Sequence, residues 1–202
     1  VTVMGLVGLA TFASLFALPL YYQQVRGHGA FAAGTLAASL GIGAALAMPL
    51  AGRLSDRVGS RALAQNGAAL ALAGTLALTQ IGPRTGEVVT ALVALALGLG
   101  LGCVGAPTMG ALYRTLPPAR VPQGSSVLYM LNQLGASVGI AVVALIVQTA
   151  GDDVMGGIHG VFAFACGAVV TVLAVSFLLP GRPREVSGSL VPQEAEEEAG
   201  AR

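Results

Sequence analysis

Two uncharged stretches of roughly twenty residues, 30–51 and 62–82, flank a short segment with four charges, Gly52-Arg53-Leu54-Ser55-Asp56-Arg57-Val58-Gly59-Ser60-Arg61. A helix of about twenty residues is about 30 Å long, the thickness of the hydrocarbon core of a bilayer. Four more such runs, at about 1–22, 88–112, 124–149 and 158–179, bring the total to six. They are continuous rather than ten-residue alternations, so they predict helices and not the strands of a membrane barrel. The expectation is an all-α polytopic membrane protein with six transmembrane helices spanning 1–180. The charged segment then reads as a tight loop between the second and third spans.

Composition supports this and excludes other classes. A hydrophobic share of 55% against 9% charged residues is too apolar for a soluble domain of this size. All ten basic residues are arginines and the net charge is +1, with no basic patch for nucleic acid. Cys103 and Cys166 fall inside apolar runs, where a thiol behaves as a small hydrophobe, and His28 and His159 stand alone near the ends of runs. That spacing suits no disulfide framework and no metal site, and nothing calls for a cofactor. The chain starts at Val1 inside an apolar run and reads as a piece of a longer protein.

Arginine placement sets the expected orientation. The segment after the second run, the connection after the fourth and the start of the tail carry Arg53, Arg57, Arg61, Arg114, Arg120, Arg182 and Arg184, whereas the opposite side carries Arg26 and Arg84. The richer side is cytoplasmic by the positive-inside rule. The C-terminus is then cytoplasmic, and Asp152 and Asp153 face outward. The stretch 181–202, which includes Glu194, Glu196, Glu197 and Glu198, is expected to be a disordered acidic cytoplasmic tail.

Within the charged segment, two glycines allow a sharp turn, and Asp56 just before the next helix would meet the positive end of its dipole. The pattern G-x-L-x-D-R-x-G-x-R, filled by Gly52, Leu54, Asp56, Arg57, Gly59 and Arg61, resembles the signature loop between the second and third helices of each half of a major facilitator superfamily transporter. The resemblance implies that Gly52, Arg53, Asp56, Arg57, Gly59 and Arg61 form a clasp holding one conformation; the bland alternative is a basic turn that only fixes topology. Three further stretches, Ala17-Leu18-Pro19-Leu20-Tyr21-Tyr22-Gln23-Gln24-Val25, Gly98 to Gly102 with Ala106-Pro107, and Gly124-Ser125-Ser126 with Asn132-Gln133-Leu134-Gly135, resemble the C-terminal six helices of the fourteen-span drug:proton antiporters. That implies one half of the major facilitator fold, a three-plus-three inverted repeat. It also implies alternating-access efflux of lipophilic small molecules in a bacterial cytoplasmic membrane, with protons handled by the missing N-terminal half. Pro19 and Pro107, late in the first and fourth runs, are weak direct support for the repeat.

Candidate substrate contacts follow from helical periodicity. Ser125, Tyr129, Asn132, Gln133 and Ala136 share one face of the fifth run, and amides in lipid must face other helices or water. Phe12, Phe16, Pro19 and Gln23 share a face of the first, which the resemblance directs toward the central cavity. Phe12, Phe16, Gln23, Tyr129, Asn132 and Gln133 are thus the cavity candidates, with simple interhelical bonding as the alternative for the amides. Aromatic and amide groups together suit lipophilic, often cationic, compounds.

Two enzyme-like patterns fail on context. Gly100, Gly102 and Gly105 spell G-x-G-x-x-G with no strand before them, and Gly135, Ser137 and Gly139 spell G-x-S-x-G in mid-helix. Both read as seams where helices approach closely. The rival readings are an intramembrane hydrolase using Ser137 and a non-transporting six-span scaffold. The orientation is directly checkable: an impermeant thiol reagent applied to whole cells should label a cysteine at position 153 and not one at position 57. Labelling at both, or the reverse, would invert the topology.

Overall fold

A computed structural model describes residues 2–82 and 85–176, without the side chains of residues 2, 55–58, 60, 111, 114 and 115. The acidic stretch 181–202 and Arg84 therefore lie outside the described residues. Among the described residues the regular structure is helical: α1 (Thr2–Leu20), α2 (Ala30–Val58), α3 (Ser60–Leu78), α4 (Glu87–Thr115), α5 (Val121–Ala150) and α6 (Val154–Ser176). A π-helical turn, Tyr21–Val25, extends α1, and a 3₁₀ turn, Pro118–Arg120, leads into α5. Five of the helical segments are long and apolar enough to cross a membrane; α3, which carries Arg61, Gln65 and Asn66, is not among them.

The charged segment is not the loop expected from the sequence. Its first seven residues, Gly52 to Val58, continue α2, and the chain reverses at Gly59 alone, whose φ of +89° is open to glycine at little steric cost. Gly52 is an exposed helical residue with nothing near its α-carbon, so only one of the two glycines serves the turn. Asp56 belongs to the last turn of α2, and Gly59, not an acidic residue, stands at the N-cap of α3. Hydropathy marks where lipid ends, whereas a helix continues until its backbone bonds are interrupted. The same reason moves two other boundaries: α4 runs on through Tyr113 to Thr115, and α5 starts at Val121, inside what reads as a connection at 113–123.

Packing follows the small residues. α1 lies against α5 and α6, α4 lies against α2 and α3, and α3 packs on α6. Exchanging the first three helices for the last three maps this pattern of neighbours onto itself. Gly8 on α1 faces the Asn132 backbone, and Gly135 on α5 faces the Gly5 carbonyl, so closely that a Cβ at either would collide with main chain. Gly139 repeats this one turn on, where a Cβ would come within 2.8 Å of the Leu9 carbonyl oxygen. The equivalent seam joins α2 and α4, where Gly43 faces the Leu95 carbonyl, Gly98 the Leu40 carbonyl and Gly102 the Ala44 carbonyl, while Gly100, on another face of α4, meets Gly67 and Ala71 of α3. Close backbone approach of this kind gains dispersion energy where lipid removes any hydrophobic drive for helices to associate. Gly105 is the exception to the expected seam, with open space where its side chain would be.

The two ends of the bundle differ. Among the largest buried side chains, Tyr21, Tyr22, Leu18, Leu78, Ile158 and Phe162 gather at the end opposite the Gly59 turn, with Leu40 and Leu97 nearer the middle of their helices. There four side chains bond the connection between α3 and α4. The Tyr21 hydroxyl donates to the Gly82 carbonyl at 3.0 Å, Arg26 donates to the Thr85 carbonyl, His28 Nε2 lies 2.8 Å from Glu87 Oε1, and His159 Nε2 donates to the Ile81 carbonyl at 2.8 Å. Pro19 withdraws one backbone donor just before the π turn. A mid-span proline and a widened turn are a recurrent pairing at helix irregularities.

The seam geometry yields a contrast within one residue type. Gly135→Ala should destabilise the purified protein by about 1–3 kcal/mol, because the methyl group meets main chain that cannot yield. Gly105→Ala, placed in open space, should be neutral or slightly stabilising through helix propensity. Thermal unfolding in detergent of the two variants beside the parent reads the difference; equal effects would refute the seam.

Candidate functional site

The tight pairs α1/α5 and α2/α4 touch each other only lightly, and a cavity of about 630 Å³ lies between them. It is lined by Met4, Val7, Thr11 and Phe12 from α1, Ala44 and Met48 from α2, Leu101, Gly102, Gly105, Ala106, Met109, Gly110 and Tyr113 from α4, and Tyr129, Asn132 and Gln133 from α5. The contributing positions run from about the middle of each helix toward the end nearer the Gly59 turn, so the cavity opens away from the Tyr21–Phe162 packing. A more open groove of about 900 Å³ adjoins it, sharing Met109, Tyr113, Tyr129 and Gln133 and adding Ser125, Ser126, Met130, Leu134 and Ser137. The space at Gly105 has its explanation here, since a glycine on this face of α4 widens the cavity rather than closing a seam.

Four of the six cavity candidates read from the sequence come together: Phe12, Tyr129, Asn132 and Gln133. Asn132 does two things, because its Nδ2 donates to the Met4 carbonyl at 3.2 Å and so also ties α5 to α1. The interhelical alternative therefore holds for Asn132. It does not hold for Gln133, which is exposed and whose side-chain amide has no hydrogen-bond partner among the described residues. Phe16 and Gln23 are exposed and line neither space. Above Phe12 the bundle closes, and at Gln23 the π turn breaks the 3.6-residue register that placed both residues on the Phe12 face.

Several lining residues escaped the sequence reading. Met4, Met48 and Met109 come from three different helices, and a fourth methionine, Met130, edges the groove. A methionine is as apolar as its lipid-facing neighbours, so nothing in the pattern separates it from a packing residue; its unbranched thioether nonetheless adapts to irregular partners. Tyr113 was hidden because α4 extends farther than its apolar run. No Asp, Glu, His, Lys or Arg is among the described lining residues. The cavity can therefore offer dispersion, aromatic faces, hydroxyls and two amides, and no formal charge.

The signature residues stand at the rim of the same end. Arg53 is exposed, Arg61 half-buried, and Gly59 buried in the turn; the side chains of Asp56 and Arg57 lie outside the described residues. Ser137, the only nucleophile of the G-x-S-x-G pattern, donates back to the Gln133 carbonyl at 2.9 Å in mid-helix, and both histidines are engaged at the opposite end. Among the described residues no base stands beside it.

Comparison with known proteins agrees with this geometry. The family model described as Major Facilitator Superfamily matches residues 1–199. A Mycobacterium tuberculosis protein named multidrug resistance protein B homolog is 33% identical over 145 residues, covering 71% of this chain and 27% of that protein. The lincomycin resistance protein LmrB of Listeria monocytogenes is 31% identical over 140 residues, covering 69% and 30%. The chain thus spans less than a third of the length of these relatives. Among solved structures, the proton:xylose symporter XylE superposes with a TM-score of 0.74 at 20% identity, over 91% of this chain and 44% of that one. A peptide transporter, POT, gives 0.69 at 23% over 98% and 42%. With the helical fold, the cavity and the family match in agreement, this chain belongs to the Major Facilitator Superfamily.

Proposed function

We propose that the chain is the C-terminal six-helix half of a drug-efflux transporter, working by alternating access against an N-terminal companion bundle. The observation that carries this reading is the uncharged, methionine- and aromatic-lined cavity framed by α1, α2, α4 and α5, on a chain whose relatives are named for drug resistance. In this reading all six helices span, α3 included, and the exchangeable neighbour pattern is the three-plus-three inverted repeat. α2 and α5 are the least buried of the five long apolar helices, as suits elements that meet lipid and the companion bundle. The orientation is the one set by the arginines, with the C-terminus cytoplasmic in a bacterial inner membrane. The cavity then opens to the cytoplasm and is shut on the outside.

Substrates in this scheme are lipophilic small molecules, held by Phe12, Tyr113, Tyr129 and the methionines, with the free Gln133 amide supplying a directional bond. Proton coupling needs a group that titrates in the path, and this cavity contains no carboxylate or histidine among its described residues. The coupling group accordingly belongs to the companion half. A scaffold without transport is the remaining rival.

The test expresses the full-length gene product in an efflux-deficient bacterium and measures accumulation of a panel of lipophilic compounds. Parent protein should lower accumulation of several of them. Phe12→Ala and Gln133→Ala should change the ranking of compounds by about 10-fold or more at unchanged expression, since even one methylene in an apolar pocket discriminates by about 10- to 200-fold and these changes remove a ring and an amide. A uniform loss with poor expression would mean packing, and an inert parent would favour the scaffold.

The clasp is tested separately through Asp56. A carboxylate in the last turn of α2 faces the unfavourable end of that helix's dipole, by about 0.3–1 kcal/mol. On local energetics alone, Asp56→Asn should leave the fold as stable or slightly more so. We expect normal insertion with strongly reduced transport, and transport at the parent rate would refute the clasp.

A further inference from the structure

The cavity and the groove beside it differ in the hydrogen bonds they leave open. On the α1 and α2 side of the cavity the lining is apolar apart from Thr11, and Asn132 commits an amide donor to the Met4 carbonyl. The groove instead runs along α5 past Ser126, Met130, Gln133 and Ser137, which recur at helical spacing, with Ser125 beside them. From Ser126 to Ser137 the helix rises about 16 Å. Each serine hydroxyl lies 2.9 Å from a carbonyl oxygen of its own helix, Ser125 and Ser126 from that of Pro122 and Ser137 from that of Gln133. A carbonyl cannot donate, so in each contact the hydroxyl gives up its single proton and has only lone pairs left to offer. The groove's serines are therefore acceptors. Where the two spaces meet stand Tyr113, Tyr129 and Gln133, which line both and have no hydrogen-bond partner among the described residues. No charged side chain is among the described residues that line either space.

We propose that the cavity and the groove are two subsites for one uncharged amphiphilic ligand, whose apolar body fills the cavity while a portion bearing several hydroxyl groups lies in the groove and donates to Ser126 and Ser137. The proposal rests on the transporter reading for its physiological meaning and names the substrate class. Continuity assigns both spaces to one ligand, because Met109, Tyr113, Tyr129 and Gln133 belong to both linings. Hydrogen-bond chemistry selects the part that enters the groove. A carboxylate needs donors, and beside the serines it would face oxygen lone pairs. An ammonium would find acceptors but no counter-charge, and a cation taken out of water without one is penalised heavily. A neutral hydroxyl avoids both penalties: its proton bonds a serine oxygen, and its own lone pairs remain open to the Gln133 amide and the tyrosine hydroxyls. Contacts spread over about 16 Å of α5 match a portion with several such groups rather than one.

The experiment uses the full-length protein in lipid nanodiscs and two tritiated probes, phenylbutyl glucoside and its per-O-methyl ether, with empty nanodiscs as the blank for partition into lipid. The probes share an apolar body and a sugar ring, and only the first has donors. A purely apolar site would favour the ether, the more lipophilic of the two. The proposal requires the reverse, the parent binding the glucoside tighter by about 10-fold or more, since a site built to hydrogen-bond a hydroxyl rejects the analogue that lacks it. In the double variant Ser126→Ala with Ser137→Ala that advantage should disappear. Both hydroxyls bond only their own helix, so neither change strands a partner on another helix, and circular dichroism confirms the fold. Ser126→Thr with Ser137→Thr keeps both hydroxyls and should retain the preference. A parent that prefers the ether or binds neither probe overturns the proposal, as does an alanine variant that keeps the preference or loses both probes equally. Efflux of the same probes from cells is read separately: a glucoside bound with the expected preference but not moved would sink the transporter reading and leave the two subsites standing.

Discussion

Backbone-to-backbone contact at glycine is the interaction on which the rest of this structure depends. In lipid, apolar side chains gain nothing by leaving their solvent, so helices hold together by close packing and by the few polar bonds available. Gly5, Gly8, Gly135 and Gly139 bring α1 and α5 into main-chain contact, and Gly43, Gly98 and Gly102 do the same for α2 and α4. Each seam makes a rigid two-helix unit. The cavity is what remains where those two units diverge, and its walls are stiff because the seams behind them cannot slide without collision.

That arrangement also explains why the two ends differ. At one end bulky side chains, Tyr21, Tyr22, Leu78 and Phe162, fill the space between the units and the ladder of bonds to residues 81–87 ties them. At the other end small and flexible residues line the gap: Ala44, Gly102, Gly105, Ala106 and Gly110 leave room, and Met4, Met48 and Met109 occupy its edges without a fixed shape. Residue size alone therefore grades the bundle from closed to open along its axis.

Much of the fold was legible in the sequence, because the bilayer permits so few solutions. Six apolar runs appear as six helices, and the G-x-L-x-D-R-x-G-x-R pattern pointed to the family that the comparison then established. Boundaries were less legible, since α2, α4 and α5 all continue past the point where hydropathy falls. The polar half of the cavity was readable from Asn132 and Gln133, whose amides need a partner or a water-facing surface. The apolar half was not, because Met4 or Met109 looks like any lipid-facing residue until neighbouring helices are placed. Gln23 misled because the π turn has no signature beyond a preceding proline. The ladder was invisible for another reason: its partners are separated by about sixty residues or more, and three of its acceptors are carbonyls that every residue carries.

The uncharged lining has a consequence for how such a half can work. A fixed charge in a cavity of low dielectric would bind counter-charged compounds tightly and would have to be neutralised in each cycle. Under the proposed function, recognition would rest on dispersion, aromatic faces and the Gln133 amide, which implies modest affinity for any one compound and room for many shapes. Weak, adaptable binding favours release, which a transporter needs as much as capture. Among the described residues that line the cavity there is no carboxylate, histidine, lysine or arginine. Among the described residues, the imidazole–carboxylate contact is the His28–Glu87 pair, and it lies at the opposite end of the bundle from the cavity. The polar contacts that tie the bundle and the surfaces that line its cavity are thereby separated along the bundle axis.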